Sequence, residues 1–204
     1  AVTGVQTCAF PIYTSYFARH AAPDIAWHTR VLWRHVTTQQ PVVAARLSSA
    51  GEGLQVLVYS PDRPDLFARI CGYFDRAGFS IQDARIHTSK TGYAIDTFQI
   101  LSADALQYEG VHYRDLIALV ETQLAHAVAS DDALHEPSRG RLSRRVKSFP
   151  IQPRVSLKPD ERAQRWLLSV SVSDRSGLLY VIARTLARKQ ISVQLAKEIG
   201  RAHV

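Results

Sequence analysis

Methionine is absent from all 204 residues, and the chain does not begin with it. That absence suggests a piece of a longer protein. Cysteine is scarce: Cys8 and Cys71 are the only two. They are too few for a disulfide scaffold or a cysteine-based zinc finger, and they leave a reducing, cytoplasmic compartment as the default. No apolar run approaches the ~18 residues of a membrane span, and no secretory leader pattern is visible. What remains is an ordinary globular balance, 46% hydrophobic and 21% charged. It suits one or two domains of about 100 residues each. Lysine and arginine total 25 against 18 acids, for a net charge of +7. That excess permits an anionic partner without demanding one.

Both ends read as foreign. Val2-Thr3-Gly4-Val5-Gln6-Thr7-Cys8-Ala9, continuing Phe10-Pro11-Ile12, resembles the conceptual translation of a sequencing-library adapter. Glu198-Ile199-Gly200-Arg201-Ala202-His203-Val204 resembles the same kind of adapter at the other end. Residues 1–12 and 198–204 are therefore expected to be artefacts, and are set aside as any fusion scar would be.

Hydrophobic spacing organises the rest. Residues 13–40 read as short helices, with Pro23 and Asp24 in a first turn and Ile25, Trp27, Val31 and Leu32 as an apolar stripe. Val42 to Leu47 is a plausible strand. Leu54, Val56 and Val58 alternate with Gln55, Leu57 and Tyr59, as in a strand with one face inward. A helix is predicted over 64–77, with Leu66, Ile70, Tyr73, Phe74 and Ala77 on one side and Gly78 as its cap. Strands at 79–88 and 93–101 flank a turn at Lys90-Thr91-Gly92. A second helix covers 111–128, with Leu116, Val120, Leu124 and Val128 every fourth residue. The order β-α-β-β-α needs one more strand to complete a split ferredoxin-like unit. Phe149 to Leu157 is the expected last strand, at a sheet edge because of Pro150 and Pro153.

Between these pieces, residues 130–163 read as a basic linker followed by that edge strand. Arg139, Arg141, Arg144, Arg145 and Lys147 place five positive charges in nine positions. No aromatic residue lies between them to stack a base, so a solvated linker is favoured over a nucleic-acid contact.

The segment from 164 onward repeats the first unit at an offset of 112. Over 62–85 against 174–197, eight of 24 positions are identical, including Asp62/Asp174, Arg63/Arg175, Leu66/Leu178 and Ala84/Ala196. A fixed offset argues a duplicated module. The second copy, residues 164–197, is expected to stop after its second strand.

The pattern strand, Asp-Arg-(Pro/Ser)-(Asp/Gly)-Leu, helix, strand resembles the ACT domain, a small-molecule sensor. The implied fold class is α+β: a ferredoxin-like βαββαβ ACT domain over 41–129, then a truncated second one, preceded by short helices. The resemblance implies amino-acid binding where the strand-to-helix loop meets a neighbouring ACT copy. The implied ligand residues are Asp174, Arg175, Ser176, Gly177 and Leu178, with Asp62, Arg63, Pro64, Asp65 and Leu66 in the first copy. Backbone N–H groups at a helix start favour a carboxylate, and glycine lets a ligand approach. Asp65 stands where glycine is usual and would repel a ligand carboxylate.

A closer resemblance is carried by Ile25-Ala26-Trp27-His28-Thr29, Val58-Tyr59-Ser60-Pro61-Asp62-Arg63, Ser80-Ile81-Gln82-Asp83-Ala84-Arg85-Ile86, Ala94-Ile95-Asp96-Thr97-Phe98 and Phe149-Pro150-Ile151 with Arg154-Val155. These segments, spread over about residues 15–197, are similar to bifunctional PII uridylyltransferase/uridylyl-removing enzymes: the first resembles the helical end of their catalytic, HD-side half (residues 13–40 here), and the others resemble their tandem ACT region. The resemblance implies a nitrogen sensor with glutamine as effector and PII proteins as partners of the whole enzyme. Its nucleotidyltransferase and HD hydrolase domains, where Mg2+ is expected, precede this region. The chain itself then carries no catalytic residue, metal or cofactor. Two other classes stay open: an ACT module of another metabolic enzyme or regulator, and a nucleic-acid-binding ferredoxin-like domain.

Individual side chains also have plainer readings. His28 and His35 are seven apart, and a solvated or core-edge pair is favoured over metal ligation. Cys71, inside a helix without a His/Asn constellation, reads as a small buried hydrophobe. Asp96 reads either as a hydrogen-bonded structural acid or as a ligand contact. Asp62 and Asp174 can cap helices, contact a ligand, or both.

Overall fold

The computed structural model describes residues 14–48, 53–102, 112–137, 152–160, 165–172, 177–193 and 195–197. The two adapter-like ends and the arginine cluster at 139–147 lie outside them. In chain order the elements are α1 (Thr14–Phe17), α2 (Ala22–Leu32), β1 (Val42–Leu47), β2 (Leu54–Pro61), α3 (Leu66–Arg76), β3 (Phe79–Arg85) and β4 (Tyr93–Ser102). Then follow α4 (Tyr113–Ala129), β5 (Arg154–Asp160), β6 (Arg165–Ser171), α5 (Leu178–Arg188) and β7 (Leu195–Lys197).

The fold is α+β and ferredoxin-like. Five antiparallel strands run in the order β1-β2-β4-β3-β7. On one face α3 and α4 supply helical stripes. Leu66, Ile70 and Phe74 of α3 and Leu116, Val120, Leu124 and Val128 of α4 are all buried. They meet Val56, Val58, Phe98 and Ile100 of the sheet. The other face is covered as well. Tyr16 and Leu32 of the leading helices pack on Leu57, Tyr59 and Ile95. The expectation that β2 buries a single face is therefore corrected. Its polar-looking alternation hid two apolar sides, because α1 and α2 roof the second one.

The leading helices are tied down by polar contacts. Arg46 of β1 pairs with Asp24 at 2.5 Å, and its guanidinium lies 4.2 Å from the Trp27 ring centroid. Tyr59 donates a hydrogen bond to the Val36 carbonyl at 2.7 Å.

The last-strand expectation for 149–157 is also corrected. The edge position beside β2 is filled by β1, which precedes it in the chain. The segment Arg154–Asp160 instead pairs with β6 in a separate two-stranded sheet. Short connections explain both choices: a neighbouring strand closes a smaller loop than one returning after α4. The offset of 112 now extends backwards, since β5 begins 112 residues after β1, as α5 begins 112 after α3. Each copy therefore starts β-β-α-β.

The two copies meet edge to edge. β3 and β7 pair with Asp83↔Lys197, Ala84↔Ala196 and Arg85↔Leu195. Ala84 and Ala196 are equivalent under the repeat, so this register is that of a local two-fold axis. The equivalent helices α3 and α5 pack together across the same axis. Tyr180 of α5 closes on Gly72, where an added Cβ would sit 2.9 Å from the ring. No helix among the described residues is long and apolar enough to cross a membrane.

Candidate functional site

The first loop is fully described, and its charges are engaged with one another. The carboxylate of Asp65 accepts from Arg63 Nε at 2.7 Å and from Arg69 Nε at 2.8 Å. Arg63 also donates to the Ser130 carbonyl and the Asp131 carboxylate, each at 3.2 Å. Arg69 donates to the Asp132 carbonyl at 2.8 Å. Asp65 occupies the position before α3 but makes no side-chain cap; its oxygens are turned to the arginines. Asp62 does not cap α3 either: its carboxylate accepts from Thr88 Oγ1 at 2.8 Å, and its backbone N–H donates to Gly92. Pro64 lies between these two acids, and Leu66 drops into the core.

Nearby, Asp96 is buried in β4 and accepts from the His87 N–H at 3.2 Å. Burial, with Asp62 adding to it, holds its carboxyl well above the usual range, while the His87 N–H opposes the shift. Its structural reading is thereby supplied with a partner. Cys71 is buried, as expected, and burial pushes its thiol up.

Of the second loop, Asp174, Arg175 and Ser176 lie outside the described residues. Gly177 and Leu178 open α5. Gly177 holds φ +75°, a conformation glycine accepts without a Cβ penalty. A Cβ there would fall 2.6 Å from Asp75 Oδ1. Gly177 therefore abuts the C-terminal end of α3, while the first loop lies at its N-terminal end. The 11 residues of α3 separate the two by roughly 15 Å at ~1.5 Å per residue. The described site residues thus fall at opposite ends of α3, residues 62–66 at its start and Gly177 and Leu178 by its close.

Sequence reasoning missed the groups that bridge α3 and α5. Residues 130–136, expected as linker from their polarity, run across the helix pair. At one end this segment takes Arg63 and Arg69. At the other, Tyr180 donates to the His135 carbonyl at 2.7 Å and stacks on the His135 ring at 4.6 Å, while Arg184 forks onto Glu136 through two nitrogens. Beneath the segment lies a cleft of about 430 Å³, bordered by Arg69, Tyr73, Arg76, His126 and His135. Arg69 was findable from sequence as the residue four after Asp65, a helical ion-pair spacing. Nothing in the sequence pointed to residues 131–136.

On the other sheet face, Tyr16, His20, His28 and His87 form a buried cluster of rings in edge-on and tilted contact. Tyr16 hydroxyl and His28 Nδ1 hydrogen-bond at 2.5 Å, and His20 Nε2 bonds Thr97 at 3.0 Å. Burial lowers the His28 imidazole to about 3. His35 is exposed and does not join it. Among the described residues no three His, Cys, Asp or Glu side chains converge as metal ligands. Tyr93 stacks on Tyr59 at 5.0 Å and Phe98 is buried, so these two aromatics do not form a base-stacking platform.

The chain is similar to a set of bacterial enzymes. It is 60% identical over 181 residues to the bifunctional uridylyltransferase/uridylyl-removing enzyme of Ralstonia nicotianae, covering 89% of this chain. Identity to the enzyme of the same name from Cupriavidus pinatubonensis is 57% over 183 residues, 90% of this chain. With that of Burkholderia vietnamiensis it is 54% over 182 residues. In each case the chain spans 21% of the relative's length, so it corresponds to about a fifth of these proteins. No protein-family model matches the chain, and no solved structure matches it.

Proposed function

We propose that this chain is the amino-acid-sensing regulatory part of a bifunctional uridylyltransferase/uridylyl-removing enzyme, with L-glutamine as effector and PII proteins as substrates of the whole enzyme. The chain contributes regulation and no catalytic group; Mg2+ belongs to catalytic domains elsewhere in the protein. The observation that carries the reading is 54–60% identity along about nine-tenths of the chain to enzymes of that name. The edge-to-edge pair supports the sensing role. The first loop and Gly177 open α3 and α5, helices of opposite direction on either side of a local two-fold axis, the arrangement in which an ACT pair would hold an amino acid.

Coupling requires a ligand that prefers one arrangement of the pair over another. Glutamine bound where the Gly177 loop meets α3 would favour one spacing of α3 and α5. Helices α1 and α2, seated on the opposite face of the same sheet, would pass that bias to the rest of the enzyme. The test is the glutamine dependence of uridylyl transfer and removal in the full enzyme, before and after Gly177→Asp and after deletion of residues 41–197. The expected outcome is loss of the glutamine response in both. An unchanged response in both would overturn the reading.

A further inference from the structure

The two loops differ in a way the repeat makes readable. Position 65 is aspartate in the first copy and glycine, Gly177, in the second. Position 69 is arginine in the first copy and valine, Val181, in the second. The acid and its i+4 arginine are present together or absent together, while the loop arginine, Arg63 or Arg175, is kept in both.

The geometry explains the pairing. Arg63 presents Nε and Nη2 to the two oxygens of Asp65, at 2.7 and 3.4 Å. Arg69 adds Nε at 2.8 Å from the second oxygen. Two guanidiniums thus converge on one carboxylate, the fork geometry by which arginine binds carboxylate ligands. The Arg69 side chain is 8% exposed. Without an anion it would be a nearly buried charge lacking its main counter-ion, a costly state. Its other contact, to the Asp132 carbonyl, carries no full charge.

We propose that Asp65 is an internal occupant of the first loop, its carboxylate filling a receptor that Arg63 and Arg69 would otherwise offer to the carboxylate of a small ligand. The first copy is then a permanently filled, structural version of the site. The second copy, with Gly177 and Val181, keeps the loop arginine and lacks both the internal acid and the arginine that serves it. The inference rests on the sensing role proposed above only for the identity of the natural ligand. The receptor itself is a statement about carboxylates.

The experiment is chemical rescue in the full chain. Asp65→Ala removes the internal acid. Asp65 has φ −103°, so alanine fits its backbone. Thermal unfolding is followed with sodium acetate against sodium chloride at equal ionic strength. Asp65→Ala is expected to melt below the parent chain and to recover part of the loss in tens of millimolar acetate, with no recovery in chloride. Parent chain and Asp65→Ala/Arg69→Val should show no acetate-specific shift. Asp65→Ser, which supplies a hydroxyl cap for α3, is the second variant should alanine fail to fold. It should show the same acetate-specific shift.

Titration with L-glutamine separates the two readings. One site in the parent and two in the variant support both. One site in each, with no acetate rescue, overturns the internal occupant and leaves the sensing role standing. Acetate rescue without glutamine binding by either chain keeps the occupant and removes glutamine as the ligand. An acetate shift in the parent chain as large as in the variant would show an unfilled receptor and overturn the proposal.

Discussion

Gly177→Ala tests the contact that seats α5 against the end of α3. Two separate costs are involved. The backbone at 177 holds φ +75°, and an L side chain in that region costs about 1–2 kcal/mol. The new Cβ would also stand 2.6 Å from Asp75 Oδ1 and 3.1 Å from its Cγ. Those distances are below any ordinary contact, so Asp75 or the head of α5 must move. Overpacking of this kind costs about 1–3 kcal/mol. The sum is roughly 2–5 kcal/mol, a large share of the ~5–15 kcal/mol by which a domain is stable. Urea unfolding of four chains measures it: parent, Gly177→Ala, Asp75→Ala and the double variant. The cycle cancels whatever Asp75 contributes alone. In the Asp75→Ala background the clash is gone, so Gly177→Ala should there cost only the ~1–2 kcal/mol of the backbone. The coupling should therefore be at least about 1 kcal/mol. Equal costs in the two backgrounds would refute the seating of α5 on α3, and with it the antiparallel helix pair.

Other outcomes follow from the same geometry. Gln190, at the end of α5, holds φ +57° where its repeat partner Gly78 holds +73°; Gln190→Gly should stabilise the chain by about 1 kcal/mol, and a loss in urea unfolding would contradict the conformation. His28 is held at about 3 by burial, below its unfolded value near 6.5. The unfolded chain therefore binds the extra proton, so stability is full above pH ~6.5 and falls as pH drops from there towards 3. His28→Gln should flatten the part of the acid-unfolding curve that lies in that window. Asp96 has the opposite sign. Its carboxyl is raised by burial, so it costs stability as pH rises above the unfolded value near 4. Asp96→Asn, still able to accept from His87, should be at least as stable as the parent at pH 7. Phe74→Ala, at a side chain with no exposure, should cost about 3–5 kcal/mol.

Periodicity made the helices legible. Leu66, Ile70 and Phe74, and the Leu116–Val128 series, recur at helical spacing and bury the faces that spacing implies. Sheet membership was harder, because strand pairing is a long-range choice. Nothing in Val42–Leu47 or in 149–157 says which will fill the edge of β2. Chain proximity decides it, and the repeat carried the answer in an unused form. Residues 154–159 stand 112 positions after 42–47, so the offset itself marks both as opening strands. The second apolar face of β2 was equally open to reading. Leu57 and Tyr59 sit opposite Val56 and Val58, and the apolar stripe at Ile25, Trp27, Val31 and Leu32 needed a surface to cover.

The site was legible in its positions but not in its asymmetry. Asp65 looked like a loop acid that would repel a ligand carboxylate. Repulsion holds only for an acid whose charge is uncompensated. With Arg63 and Arg69 both on its oxygens, Asp65 is locally neutralised, and what it removes from the first loop is space and donors. That distinction governs the outcome of mutation. A repelling acid, once deleted, leaves a neutral loop with modest affinity for anything. A neutralised acid, once deleted, leaves two converging guanidiniums, one of them nearly buried, with a strong requirement for an anion. The sequence contained the clue as a paired change, Asp65 with Arg69 against Gly177 with Val181. The change becomes physical only when the helix places position 69 one turn above position 65.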